Sequence, residues 1–146
     1  MNIVIVGTVI EKDGKYLLVQ EAQASCRGKW NLPAGHLDPR ESIFDGAKRE
    51  AKEECGLDVE LRQICHIVDK ERDDDNLVGI VFSSFPISSE ISFSEDEILD
   101  ARWFSYEEIV AMKDRGELRD PIFVLGSIDN LLNGLVAPLE LAECNS

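Results

Sequence analysis

Glu50, Glu53 and Glu54 stand at positions i, i+3 and i+4 of a stretch without proline that runs from Ser42 to Cys55. The leading pair Glu41-Ser42 supplies the carboxylate and hydroxyl that helix N-termini favour, and Gly56 supplies the stop, so the stretch reads as a helix. At 100° per residue, Phe44, Ala47, Ala51 and Cys55 fall within an arc of roughly 80° that is the buried face. Asp45, Lys48 and Lys52 lie at about 160–220° from Glu50, opposite the three glutamates, which gather within roughly 50° either side of it. Gly46 lands on the glutamate face, where a missing side chain leaves room for a ligand. Ile43 does not fit the pattern and is assigned to an irregular first turn. Three glutamates so placed repel one another. Carboxylate oxygens on a rigid element suit hard divalent cations, above all Mg²⁺ with Mn²⁺ as substitute, which keep several waters and complete their shell with substrate phosphates. The competing reading is a solvated acidic face with Lys48 and Lys52 as neighbours.

The wider spacing separates these readings. Gly35, five residues, Glu41, seven residues and Arg49-Glu50-Ala51-Lys52-Glu53-Glu54-Cys55-Gly56-Leu57 form a pattern that arises by accident on the order of once in 10⁸ windows. Residues 35–57 resemble the Nudix box of the Nudix (MutT-like) hydrolases, with every fixed position filled. The resemblance implies an α/β fold, the Nudix-type α/β/α sandwich with a mixed β-sheet. It also implies metal ligation by the Gly35 carbonyl, Glu50 and Glu54, with Glu53 either a third ligand or the general base. A carboxylate a few residues before Trp103-Phe104 serves many relatives as an extra metal ligand or as the base. Glu97 is chosen for it, with Glu95 and Asp96 as rivals. Arg49 is counted with Glu53 and Glu97 in the catalytic set, although its expected task is to pair with Glu41 and hold the loop against the helix. Gly56, like Glu41, is structural.

Substrate contacts are sought in the flanks. Asn31, in Trp30-Asn31, carries donors and acceptors suited to a purine edge, or else caps the turn. Pro33 prevents a helix and Gly35 permits a tight turn. His36 is a phosphate contact or a rim histidine. Arg27 and Lys29 end a polar segment, Glu21 to Lys29, that reads as a flexible loop bringing cations to the site, or as an ordinary solvated loop. Arg119 and Asp120 stand where the family brings substrate-facing side chains from its second helix pair.

The elements that must position these residues follow in order. Ile3 to Ile10 and Tyr16 to Gln20 read as a hairpin around Asp13-Gly14. Asp58 to Val68 and Leu77 to Ile87 read as strands joined by the charged segment 69–76. Its three aspartates lack the spacing of a calcium loop and read as a solvated turn. Ser105-Tyr106-Glu107-Glu108 is a capping box opening a helix to about Arg115. A second helix, about Ile122 to Leu132, precedes a polar tail expected to fray.

The length, 146 residues with 44% hydrophobic content, suits one compact domain, a single Nudix unit over 1–146. With 15 basic and 29 acidic residues the net charge is −14. That balance argues against nucleic-acid or membrane partners and makes a polyphosphate substrate dependent on bridging cations. Cys26, Cys55, Cys65 and Cys144 are scattered, which suggests reduced thiols and a cytoplasmic protein without zinc. Homodimers are common in the resembling family, and nothing in the sequence decides for or against one.

The expected activity is hydrolysis of a nucleoside di- or triphosphate by water attack at phosphorus, with an oxidised purine nucleotide suggested by Trp30-Asn31. ADP-ribose, a dinucleotide or another diphosphate-linked metabolite is the alternative substrate class. A nucleotide-binding sensor without catalysis is the outsider.

Overall fold

The computed structural model describes residues 2–145. Strands β1 (Asn2–Lys12) and β2 (Lys15–Glu21) form the hairpin expected of Asp13-Gly14, whose φ angles of 52° and 76° suit a two-residue turn matched to strand twist. β3 (Trp30–Asn31) and β4 (Ala34–His36) follow as short strands, then helix α1 (Ile43–Cys55). The long pair β5 (Val59–Arg72) and β6 (Asp75–Pro86) leads to β7 (Ile98–Ser105), α2 (Tyr106–Asp114) and α3 (Pro121–Leu132). A short β8 (Ala137–Pro138) and one 3₁₀ turn, Leu139–Leu141, complete the order.

β1 is the shared element of the sheet. It runs parallel to β6 from Asn2 opposite Asn76 to Ile10 opposite Ser84. Its other edge pairs with β4 through Ile5 to Gly7 and then with β2 through Glu11 and Lys12. β2 carries the sheet onward to β3 and β7, while β5 pairs antiparallel with β6 and receives β8. One face buries Val6, Ile10, Leu17, Val19 and Phe82 against Ala47, Ala51 and Cys55 of α1. The other buries Val9, Leu18, Trp30 and Val81 under Ile109 and Met112 of α2 and Phe123, Val124 and Ile128 of α3. At about 1.5–3 kcal/mol for each large apolar side chain fully buried, these two cores hold helices on both faces of a mixed sheet, the expected sandwich. Among the described residues, no helix is long and apolar enough to cross a membrane.

Helix α1 begins and ends where its local signals place it. Ser42 Oγ accepts from the Asp45 amide at 3.0 Å, a cap worth about 1 kcal/mol. Gly56 closes the helix in the left-handed region at φ 76° and donates to the Lys52 carbonyl. The capping box at Ser105 and Glu108 forms in both directions.

Five expectations change. Ile43 is part of the regular helix and packs on the core beside Phe44. Gly46 does not face open space, because a Cβ there would meet Leu37, Val6 and Glu41, so the protein itself fills that room. Gly35 lies in β4 opposite Val6 and not in a tight turn. β5 and β6 continue through the charged segment to a turn at Asp73-Asp74, with Arg72 paired to Asp75 at 3.5 Å. Where a two-stranded ribbon has no face to bury, the backbone ladder extends without apolar alternation to announce it. The tail is also built in: Ala137 and Pro138 pair with β5, and Leu139 and Ala142 pack on the α1 core.

Candidate active site

The site forms where α1 meets β4. An added Cβ on Gly35 would stand 2.5 Å from the Glu50 carboxyl carbon, so a residue without a side chain lets the strand lie directly on that carboxylate. One turn on, Glu54 Oε1 accepts from the Ala34 amide at 2.8 Å. One helix carboxylate is thus hydrogen-bonded to this strand, and the other packs against its next residue. Gly35→Ala is expected to remain folded yet lose about 10²-fold in kcat, because it drives Glu50 out of place. Circular dichroism with steady-state rates on the same sample checks this.

Arg49 ties the loop to the helix as expected. Its Nε and Nη2 form a fork on Glu41 at 2.6 and 3.0 Å, Nη1 reaches Glu50 at 2.9 Å and Glu53 at 3.1 Å, and Nη2 also donates to the His36 carbonyl at 3.0 Å. Glu41 in turn accepts from the Asp38 amide, closing the 38–41 loop. The Arg49 hydrogen bond holds the Glu41 carboxyl below the usual range, and the same contacts push the guanidinium pKa further up.

The neighbouring glutamates are pushed the other way. Burial raises Glu50, against the pull of Arg49 and with help from the charges of Glu53 and Asp38. Glu54 is half-buried as a residue, but its carboxyl is turned inward on Ala34, and burial pushes it up to about 9. The charges of Glu21, Glu50 and Glu97 add to that rise, and the Ala34 hydrogen bond opposes it. The centre is short of positive charge.

Among the described residues, no three acidic, His or Cys side chains are gathered into a ready-made cage for one ion. The groups that could donate are hard oxygens: Glu50, Glu53 and Glu54 on one helix, the backbone of Gly35 against Glu50, and Glu97, whose charge bears on Glu54. Such a set fits hydrated divalent cations that take one or two carboxylates each and leave room for phosphate oxygens. Zinc does not suit it, and the buried thiols of Cys55 and Cys65, pushed up by burial to about 11 and 12, are no nucleophiles.

Glu97 lies exposed on the turn before β7, and its carbonyl accepts from the Ala22 amide at 3.1 Å. Of that turn's carboxylates it is the one whose charge raises Glu54. Glu21 was not singled out from the sequence. It ends β2 at 4% exposure, one alternation beyond Leu17 and Val19 of the α1 core, and that position is its local signal.

The flanking residues take other places. Asn31 is buried in β3, and its Oδ1 accepts from the Leu32 amide at 2.9 Å, the capping arrangement. His36 exposes its ring at the end of β4. In the segment Glu21 to Lys29 the exposed Arg27 donates to the Ala22 carbonyl at 3.0 Å, Lys29 to the Gly116 carbonyl, and the neighbouring Gln20 to the Gly28 carbonyl. Asp120 caps α3, its Oδ1 accepting from the Ile122 and Phe123 amides. Arg119 turns back to Glu21, with Nη1 at 3.4 Å from Oε1.

A family model described as the NUDIX domain matches residues 1–124. Over 104 residues the chain is 34% identical to human "8-oxo-dGDP phosphatase NUDT18", an alignment covering 69% of this chain and 31% of that protein. It is 29% identical over 114 residues to human "NAD-capped RNA hydrolase NUDT12", covering 78% of this chain and 24% of the other. The chain thus spans about a third or less of the length of these curated relatives. A solved NUDIX hydrolase from Nitrosomonas europaea aligns with 99% of this chain and 98% of its own, at 32% identity and TM-score 0.84.

Proposed function

The chain belongs to the Nudix hydrolase family, which acts on diphosphate linkages, and from that premise we propose that it is a Mg²⁺-dependent pyrophosphohydrolase of a nucleoside di- or triphosphate, with an oxidised purine nucleotide as the first substrate class to test. The observation that carries this reading is the Ala34–Glu54 hydrogen bond beside the close approach of Glu50 to Gly35, with Arg49 forked on Glu41 behind them. The reading treats residues 1–146 as one domain in a cytoplasmic setting, with no nucleic-acid or membrane partner.

Glu50, Glu54 and the Gly35 carbonyl would hold the cation, with Mn²⁺ able to replace Mg²⁺. Bound there, it supplies charge neutralisation of the phosphates and a lowered pKa for the attacking water. The chain's own residues do the rest. Arg49 keeps β4 and α1 in register, so the ligands face one place. The water oxygen bonds to phosphorus, the bridging P–O bond breaks, and the displaced phosphate carries off the electron pair. The water's proton passes to a carboxylate, Glu53 or Glu97, each exposed enough to hand it on to solvent.

The relative named for 8-oxo-dGDP supports placing an oxidised purine first, and the relative named for NAD-capped RNA supports keeping a dinucleotide second. Phosphate and pyrophosphate release should be measured on 8-oxo-dGDP, 8-oxo-dGTP, ordinary nucleotides, ADP-ribose and NAD, with Mg²⁺, Mn²⁺ or chelator. The expected result is metal-dependent release focused on the oxidised purines. Focus on ADP-ribose or NAD would move the dinucleotide class to first place. Silence across the panel, with nucleotide binding retained, would make the domain a sensor.

A further inference from the structure

The peptide unit joining Pro33 to Ala34 is bonded at both ends. Its oxygen accepts from the Thr8 amide of β1 at 3.1 Å, and its N–H donates to Glu54 Oε1 at 2.8 Å. A peptide is planar, with its C=O and N–H pointing opposite ways, so this unit is a rigid spacer between the shared strand of the sheet and a carboxylate of α1. The depth at which β4 lies on β1 therefore decides where Glu54 is held.

Gly7 sets that depth. It is the one glycine in the run Ile3 to Ile10, it is buried, and it lies directly opposite Ala34 in the β1–β4 ladder. A Cβ on Gly7 would stand 2.7 Å from Ala34 Cβ and 2.9 Å from the Pro33 oxygen. Directly opposite Cβ atoms ordinarily keep about 4.5–5.5 Å, so the two backbones run closer here than a pair of side chains allows. Glycine inside a strand weakens it and often marks a close backbone approach, and this one interrupts a run in which Val6, Val9 and Ile10 are fully buried. The strand behind it has no slack. On its other edge Gly7 lies opposite Val81 of β6, and the next residue is anchored there, with Thr8 Oγ1 at 2.9 Å from the Phe82 carbonyl and 2.7 Å from Ser84 Oγ. A methyl group added at Gly7 has to displace β4, not β1.

We propose that Gly7, which lies outside the 35–57 motif, is a positioning residue of the centre: its missing side chain seats the Pro33–Ala34 peptide on β1 at the depth from which the Ala34 amide holds Glu54. Its effect on rate rests on the hydrolase reading above, whereas the seating of the peptide is measurable without turnover.

Gly7→Ala is expected to lose about 30-fold in kcat at saturating Mg²⁺, with KM for the best nucleotide changed less than about threefold. In an Ala34→Gly background the nearest obstructing atom is gone, and the same change at Gly7 should cost about threefold, the contact with the Pro33 oxygen keeping the relief incomplete. The second readout is amide hydrogen exchange by nuclear magnetic resonance on the full chain without nucleotide. The Ala34 and Thr8 amides should exchange at least about tenfold faster in Gly7→Ala, while the amides of the β1–β6 ladder keep the parent's protection. A glycine that merely favoured the strand would loosen both edges of β1 and gain nothing from Ala34→Gly. Parent-like kcat in a folded Gly7→Ala, an equal loss in both backgrounds, or faster exchange on both edges overturns the proposal. If Gly7→Ala does not fold, the double variant Gly7→Ala/Ala34→Gly is compared with Ala34→Gly: a folded double variant within about threefold in kcat supports the seating, and one that fails to fold overturns it. If the parent hydrolyses no nucleotide of the panel, the hydrolase reading has failed, and the exchange of the Ala34 amide alone decides whether Gly7 seats the peptide.

Discussion

Glu54→Gln is expected to lose at least about 10³-fold in turnover and, in chelator at pH 8, to melt a few degrees higher than the parent. Both effects have one cause. The amide keeps the oxygen that accepts from Ala34, so the local geometry survives. It removes a carboxyl that burial and like charges push up to about 9 without a cation. In the unfolded chain that carboxyl ionises in the ordinary range near 4.5, so between the two values the folded parent retains a proton that the unfolded chain has lost. The parent's stability therefore falls as pH rises through this window, and the non-titrating glutamine escapes the fall. The stability gap between variant and parent should be small at pH 4.5, widen toward pH 9, and shrink or reverse when Mn²⁺ is added, since only the parent gains a ligand for it. Thermal melts across pH, with and without metal, beside kcat on the best nucleotide, check all three statements. A folded variant with near-normal kcat would sink the role of Glu54.

Arg49→Ala is expected to show the opposite stability profile with a similar loss of function. It abandons Glu41, Glu50 and Glu53 together and frees the 38–41 loop, at a cost of about 2 kcal/mol after allowing for a side chain that is one-quarter exposed. That corresponds to a fall in Tm of about 5 °C or more. Activity should drop about 10²-fold, through misplaced ligands and not through a missing chemical group. Arg49→Lys keeps the charge without the fork, so it should recover part of the stability and little of the rate. The acid limb supplies a separate check. Arg49 holds Glu41 below its ordinary value, and the stability this gives is present above about pH 4.5 and lost as pH falls through the lowered value. Without Arg49 the acid-side loss should be shallower.

What was legible in the sequence was local. Ser42, Asp45 in the first helical turn and Gly56 decide α1 within a few residues of themselves, and the Arg49–Glu41 fork spans eight positions on a helix and the loop before it. The same holds for the Asp13-Gly14 turn and the Ser105–Glu108 box. What escaped depends on partners far along the chain. β4 exists because β1 offers it an edge, and that pairing turns Gly35 from a presumed turn residue into a strand residue under a carboxylate. Glu21 is buried at the end of β2 and pairs with Arg119, 98 positions on, so a lone glutamate ending an apolar strand gave little warning. The carbonyl acceptors of Arg27 and Lys29 carry no side-chain signature in the sequence, so their hydrogen bonds appear only in the structure. Asp120 shows the converse: followed by Pro121 it carries the ordinary mark of a helix cap, and expectation from the family drew attention away from it.

The position of β1 between β6 on one edge and β4 and β2 on the other decides how the molecule comes apart. A strand bonded on both edges exchanges its amide hydrogens only when its neighbours leave, so the amides of residues 5–8 should be among the last to exchange. The strand that bears Gly35 is stitched to this slowest segment, whereas the turn bearing Glu97 hangs by few backbone bonds. The two sides of the centre therefore live on different clocks. The Gly35 strand is expected to open only with the sheet core, while the turn at Glu97 is expected to exchange at the pace of a surface turn.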